Sequence, residues 1–360
     1  MTDQLAFIRD QMALKQAIQK RDFSQTKFQD TDFSGGQFIH CNFSGCSFVN
    51  CDLRRVNFVE CDLTGSTFSS NTYKSGNVVQ CQLQKSVWLG EVKKLTIMTS
   101  DMAESKWLSV DITSCSLMQN TYKDAVFEDS KWDTTSIAQC RFEGVTLLNN
   151  SFCNVSWIAT DFTKINLIQC CFEKVLLLKC DFSGLDFSGQ TFIKCTCTES
   201  KFIKTSFNGA TVNNCGFSKS VLEGVDFRQA KLNKTLYLGS KIKQCDFSGA
   251  SLHYGKFMQA TVSQSKFVAC DLEQASFKKA DLNLVDFSDC NLAYTDFRYV
   301  TVKKTRFVGT KLLRTQIHGM VQGEDDDKNE WGTVKPGGLL LTDETQTEID
   351  QLLISYGQSA

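Results

Sequence analysis

Proline is almost missing from this chain: Pro336 is the only one in 360 residues. A backbone so poor in proline keeps nearly every N–H able to donate, which suits main-chain ladders and excludes proline-rich spacers. Histidine is scarce too, and none of His40, His253 and His318 sits in the sequence with a nucleophile and an acid in any known catalytic arrangement. Neither sign of charge prevails, with 39 basic and 40 acidic side chains, so the totals point to neither a polyanion nor a polycation as partner. No stretch approaches the roughly 20 apolar residues of a membrane span. The N-terminal segment MTDQLAFIRDQMALKQAIQKR is charged throughout and lacks the apolar run of a signal peptide. The expected setting is the reduced cytoplasm of a bacterium, without a membrane part.

Cysteine, by contrast, is abundant. The chain has 17, an odd number that rules out complete internal pairing. Cys41, Cys46, Cys51 and Cys61 recur at multiples of five, and large apolar residues keep the same count. Phe23, Phe28, Phe33, Phe38, Phe43 and Phe48 open a series of five-residue steps that runs without exception to Trp88. One four-residue step then leads to Val92, and the five-residue count resumes through Ile97 to Ile317. Sixty pentapeptides cover residues 21–319, and 27 of the 28 phenylalanines are central in their unit, Phe7 being the exception.

Neither a helix nor a flat strand turns one side chain inward every fifth residue. A coil that rounds a corner once per unit does so, and four units close a square turn of 20 residues. Fifteen such turns, stacked at about 4.8 Å, predict a rod on the order of 70 Å long. From Ile242 to Leu312 the centres alternate between phenylalanine and an aliphatic residue. That alternation sends rings to two opposite faces and aliphatics to the other two.

Units such as CDLRR, CDFSG, ADLNL, VDFSD and CNLAY follow an A-(D/N)-L-x-x pattern, and in this the chain resembles the pentapeptide-repeat family over about five-sixths of its length. The resemblance implies an all-β solenoid, a right-handed quadrilateral β-helix of about 15 coils with short end helices. The expected organisation is a capping helix over residues 1–20, the β-helix over 21–319 with its register slip at 88–92, an acidic glycine-rich linker over 320–341, and an amphipathic C-terminal helix over 342–360. Leu5, Ile8, Met12 and Ile18 would line one side of the first helix, and Ile349, Leu352, Leu353 and Tyr356 one side of the last.

The repeat reassigns the residues that first suggest chemistry. Fourteen cysteines stand two places before a centre, a slot that elsewhere holds alanine, serine, threonine or valine, so cysteine acts there as a small apolar filler. Neighbouring thiols fall on successive sides of a turn and do not converge as four metal ligands must. Cys153, Cys171 and Cys197 lie off the slot, and an exposed thiol such as Cys197 is the one opening for an enzyme. The recurrent Asp residues before the centres, Asp62 and Asp246 among them, stabilise turns by bonding local backbone. No catalytic residue, cofactor or metal site is expected. Four of the five tryptophans, Trp88, Trp107, Trp132 and Trp157, are centres of a less regular middle that predicts a bulge or small loop near Leu89 to Lys94.

Function is therefore sought on outward rows and at the ends. Residues 20 apart should stack, and one row two places after the centres reads Lys174, Lys194, Asn214, Lys234, Tyr254, Gln274, Tyr294, Arg314. It has no acid and carries two exposed tyrosines, a composition favoured at protein interfaces. Residues 318–360 hold 2 basic and 9 acidic side chains. Their helix could cap the solenoid, form a homodimer or dock on a partner. The resemblance implies a non-catalytic protein-binding scaffold, with an adaptor or chaperone for a secreted toxin or secretion machinery as the specific expectation. The alternative is a topoisomerase (DNA gyrase)-binding protein of the quinolone-resistance type. Such DNA mimicry needs a polyanionic rod, whereas residues 194–317 hold 19 basic and 10 acidic side chains. The mixed charges do not call for direct nucleic-acid binding either.

Overall fold

A computed structural model describes residues 2–322, 330–331 and 339–340. The chain divides into two compact units, Met1–Leu176 and Leu177–Ala360. Both are parallel, four-sided β-solenoids, the all-β architecture expected from the five-residue count.

In the first unit the rungs are 20 residues apart: Ile18 pairs with Phe38, and Phe38 with Phe58. Phe28, Phe33, Phe38, Phe43 and Phe48 are completely buried. Each such side chain contributes about 1.5–3 kcal/mol of transfer free energy before chain entropy is set against it. In the second unit Phe202, Leu222, Ile242, Val262, Leu282 and Val302 form one continuous ladder. Phe247, Phe267 and Phe287 stack on the next side, with centroids 4.5 and 5.0 Å apart. Phe257, Phe277 and Phe297 stack opposite them, and the two columns meet edge to face, as Phe267 and Phe277 do at 81°. Stacking along a column and edge contact across it are both favourable ring geometries.

The corners explain the rest of the pentapeptide. The residue two places after a centre takes a left-handed conformation, as at Gln25 (φ 61°) and Lys234 (φ 58°), and its N–H bonds to the next coil. The Asp before a centre accepts the N–H two residues on, as Asp62 does from Thr64 at 2.9 Å and Asp246 from Ser248 at 2.9 Å. The slot two places before a centre does more than fill space. Its side chain donates to the carbonyl of a central residue 23 positions earlier: Cys46 Sγ to Phe23 O at 2.9 Å, Thr205 Oγ1 to Phe182 O at 2.9 Å, Asn120 Nδ2 to Ile97 O at 2.8 Å. The sequence shows the small volume of this slot but not its donor role.

Three places depart from the regular coil. The first helix is Thr2–Ala13, not residues 1–20, because Ile18 is already a rung of the ladder. It lies on the first coil through Gln4, which accepts from Thr26 Oγ1 at 3.3 Å, through buried Ile8, and through Phe7 against the Arg21 guanidinium. At the four-residue step the strands Val87–Lys93 and Lys106–Thr113 run past the corner, and their register shifts between Leu89 and Gly90. Trp88 and Trp107 stack there at 4.6 Å and 3°, their indole N–H groups donating to Ser86 and Ser105. After Ile317 the ladder continues through residues that read as linker: Thr301 pairs with Val321, Arg306 with Glu330 and Thr315 with Leu339. The last two pairs join residues 24 apart rather than 20.

Candidate protein-binding surface

The outward row is built by the corner backbone. Lys194, Asn214, Lys234, Tyr254, Gln274, Tyr294 and Arg314 all have φ between 51° and 59°, and every one but half-buried Gln274 is exposed. From Lys194 to Tyr294 their N–H groups bond across to the following coil, as Tyr254 does to Glu273 O at 3.1 Å and Tyr294 to Leu313 O at 2.7 Å. Coils stack at about 4.8 Å, so Tyr254 and Tyr294 stand roughly 10 Å apart with Gln274 between them. Each ring has a cation beside it: Lys234 Nζ is 5.8 Å from the Tyr254 centroid, and Arg314 Cζ 5.9 Å from that of Tyr294. Exposed cation–π pairs of this kind contribute roughly 0.5–1 kcal/mol each, enough to bias the orientation of the rings. Lys174 is exposed at the equivalent corner of the first unit and is paired with Glu173 at 3.3 Å. Ile349, Leu352, Leu353 and Tyr356 lie outside the described residues.

The cysteines divide by position. Burial pushes the slot thiols Cys46 and Cys115 up to about 11, which keeps them protonated donors at neutral pH. Cys197 corrects the expectation of an exposed thiol: it is a central residue on the axis, 4% exposed, and burial raises its thiol well above the usual range. It is inert as a nucleophile because only a thiolate attacks. Cys171 is exposed and Cys153 half-buried, one coil apart, and both thiols are free.

One cluster of possible ligand atoms has no local sequence motif. His253, Asp271 and Glu273 place one ligand atom each within 4.8 Å of one another on the side next to the row. Asn291 Nδ2 donates to Asp271 at 2.9 Å and to Glu273 at 3.4 Å, and the Glu273 N–H donates to Asp271 at 3.2 Å. Those bonds account for the two carboxylates as turn and inter-coil acceptors. Only the 20-residue stacking brings these three together, so the signal was present in the register but not in any local motif.

Three further Asp side chains are structural as well. Asp52, Asp226 and Asp296 each accept both the N–H and the guanidinium of the Arg two residues on, at 2.5–3.0 Å. Among the described residues no helix is long and apolar enough to cross a membrane.

A model of the pentapeptide repeat region matches residues 20–97 and 240–317, and a model of eight pentapeptide repeat copies matches residues 180–218. No curated protein matches in sequence. Among solved structures the chain is similar to HetL, a pentapeptide repeat protein involved in heterocyst differentiation regulation from the cyanobacterium Nostoc sp. strain PCC 7120, at 16% identity over 70% of this chain and 90% of that one, with a TM-score of 0.23. It is similar to full-length QnrB1, a plasmid-mediated fluoroquinolone resistance protein, at 11% identity over 74% and 100%, with a TM-score of 0.21. A mannuronic acid specific polysaccharide family 6 lyase from human gut microbiota matches at 8% identity over 94% and 95%, with a TM-score of 0.28.

Proposed function

Since the chain belongs to the pentapeptide-repeat family, we propose that it is a non-catalytic protein-binding scaffold, serving in a bacterial cytoplasm as an adaptor or chaperone for a secreted toxin or a component of secretion machinery. One observation carries the binding role: two exposed tyrosines, each beside a cation, held at fixed spacing on corners of a ladder. A surface already ordered in this way loses little conformational entropy on binding, and tyrosine with arginine supplies the kind of anchor that dominates interfaces. The specific adaptor role follows the resemblance to the family and goes beyond the geometry.

Affinity purification from the native cell tests the reading, comparing the full chain with a Tyr254→Ala/Tyr294→Ala/Arg314→Ala variant and with a chain lacking residues 320–360. A partner recovered by the full chain and lost with the triple variant supports the row. A partner lost only with the truncation moves the binding role to the C-terminal segment. Topoisomerase binding is excluded if purified gyrase shows neither inhibition nor protection in a supercoiling assay. The basic excess of residues 194–317, 19 against 10, predicts that outcome, because a DNA mimic must be acidic.

A further inference from the structure

In the second unit, the side whose centres are Phe217, Tyr237, Phe257, Phe277 and Phe297 has a chemical character of its own. Leu236, Leu238 and Met258 point outward from it, exposed at 45%, 43% and 38%. Met258 lies 20 residues after Leu238, one coil on, so the three form a contiguous aliphatic patch. The next coils carry Lys256, Lys278 and Arg298 on the same side, and the bordering corners add Lys234, Arg314 and Lys279. Tyr254 and Tyr294 stand along one border and Tyr299 along the other, with Lys278 Nζ 6.0 Å from the Tyr299 ring. Within residues 214–316 the one acid on this side and its two borders is Asp296, and it is held by the Arg298 guanidinium at 2.9 Å. Lys234, Lys256, Lys278, Lys279 and Arg314 have no carboxylate within ion-pair distance among the described residues.

This combination selects a partner class. Cations that outnumber the one acid beside them call for carboxylates or phosphates. The aliphatic patch is better removed from water, which only an apolar partner group does. Nucleic acid supplies the charge but would lay hydrated phosphates over Leu238 and Met258, and base edges read by polar groups have no counterpart here. A protein segment meets both demands when acids alternate with aliphatic or aromatic side chains. We propose that this side of the second unit docks an acidic, apolar-rich segment of another protein. The inference rests on the protein-binding reading above and names the chemistry of the partner.

The test is fluorescence polarisation on the full chain, with a labelled peptide of Glu, Leu and Ser as probe. Control probes replace Glu by Gln or Leu by Ser, and a labelled DNA duplex is the fourth. The wild type should prefer the Glu/Leu probe over either control peptide by about tenfold or more. Lys256→Glu with Lys278→Glu, and separately Leu238→Ser with Met258→Ser, should each weaken that probe about tenfold, since rim charges and buried apolar contacts act at this scale. Lys231→Glu, exposed on the neighbouring side, should leave binding unchanged. All substituted side chains point outward, and unchanged circular dichroism melts establish that the variants fold. Equal binding of the Gln probe, tighter binding of DNA, or equal weakening by Lys231→Glu overturns the proposal. It also falls if a chain ending at residue 340 binds the probe about tenfold more tightly than the full chain, because residues 341–360 would then be the occupant. A cellular partner that still depends on Tyr254 and Tyr294 would keep the scaffold reading alive after any of these failures. A chain that binds no protein at all removes both.

Discussion

Cys197 offers the sharpest test of the packing. Every other centre of the second unit up to Ile317 is valine or larger. Cys197 stands in the column of Leu177 and Phe217, and a cavity of about 10 Å³ lies beside it, bounded also by Cys195, Cys215 and Phe207. That volume has room for about one methyl group, so the sign of a substitution should depend on size. Cys197→Val adds roughly one methyl, worth about 0.8 kcal/mol of burial, and filling the void recovers ~0.2 kcal/mol at ~24 cal/mol per Å³. The variant should be more stable by about 1 kcal/mol. Cys197→Ala enlarges the void and should cost about 1 kcal/mol, while Cys197→Phe overfills it and should cost about 1–3 kcal/mol despite the phenylalanines all round.

Coil arrays need not unfold in one step, so the assay should be local. Native-state hydrogen exchange can follow the Cys197 N–H, bonded to Gly216 O at 2.6 Å, and the Phe217 N–H, bonded to Leu236 O at 2.6 Å. A gain of 1 kcal/mol slows exchange through local opening about fivefold. The reasoning is refuted if Val speeds exchange at these amides, or if Phe slows it. Either result would mean that the axis around Cys197 is fully packed or free to expand.

Other perturbations probe the corners and the slot. The Arg54 and Arg228 guanidiniums hold Asp52 and Asp226 below the ordinary carboxylate range. Their contribution is therefore complete above the unfolded value near ~3.9 and lost as pH falls through the folded value. Thermal midpoints should be flat from neutrality to about pH 5 and fall below about pH 4, while Asp226→Asn should cost less than ~1 kcal/mol at pH 7 and converge on the wild type as pH falls through the lowered folded value. Iodoacetamide at mildly alkaline pH should label Cys171 first and Cys153 more slowly, with the slot thiols reacting only after denaturation. Mass spectrometry reads the order, and early labelling of Cys46 or Cys197 would contradict their burial. Gly36→Ala should destabilise by about 1–3 kcal/mol in urea melts, because its Cβ would lie 2.8 Å from the Phe38 ring and 3.0 Å from Phe33 O.

The inward half of the molecule was legible because it is over-determined. Sixty central positions repeat one instruction, so a single irregular unit cannot obscure the period. The slot hydrogen bonds were not legible, since they join residues 23 apart and any small side chain satisfies the volume. The end of the first helix is not legible for a related reason: Ile18 fits an amphipathic helix and a ladder rung equally well, and pairing with Phe38 decides between them. Past Ile317 the five-residue count stops, yet pairing of Glu330 and Leu339 with earlier coils needs only backbone groups. The outward row was readable as a stack because the second unit keeps its register. The aliphatic patch beside it has no comparable signature, because Leu238 and Met258 keep the 20-residue step for one coil only and Leu236 has no aliphatic neighbour at that step.

The same corners that build the row also set its energetic character. Tyr254, Tyr294 and Tyr299 have φ of 59°, 58° and 59°, a region that costs an L-residue about 1–2 kcal/mol and that glycine enters freely. Asn or Asp could offset this by local hydrogen bonds, but a tyrosine ring supplies none. The ladder enforces the conformation whatever the side chain, so the rings persist at a local penalty. Replacing Tyr254 and Tyr294 by glycine removes that penalty, loses a cation–π contact of roughly 0.5 kcal/mol at each site, and loosens the unfolded chain by roughly 0.5–1 kcal/mol per glycine. Each replacement should change stability by between a loss of about 0.5 and a gain of about 1 kcal/mol, as read by urea midpoints at constant slope. If the row binds a partner, the double variant should lose that partner while losing no more than about 1 kcal/mol of stability. A clear loss of stability would make these tyrosines structural and leave the row without a reason to be called a site.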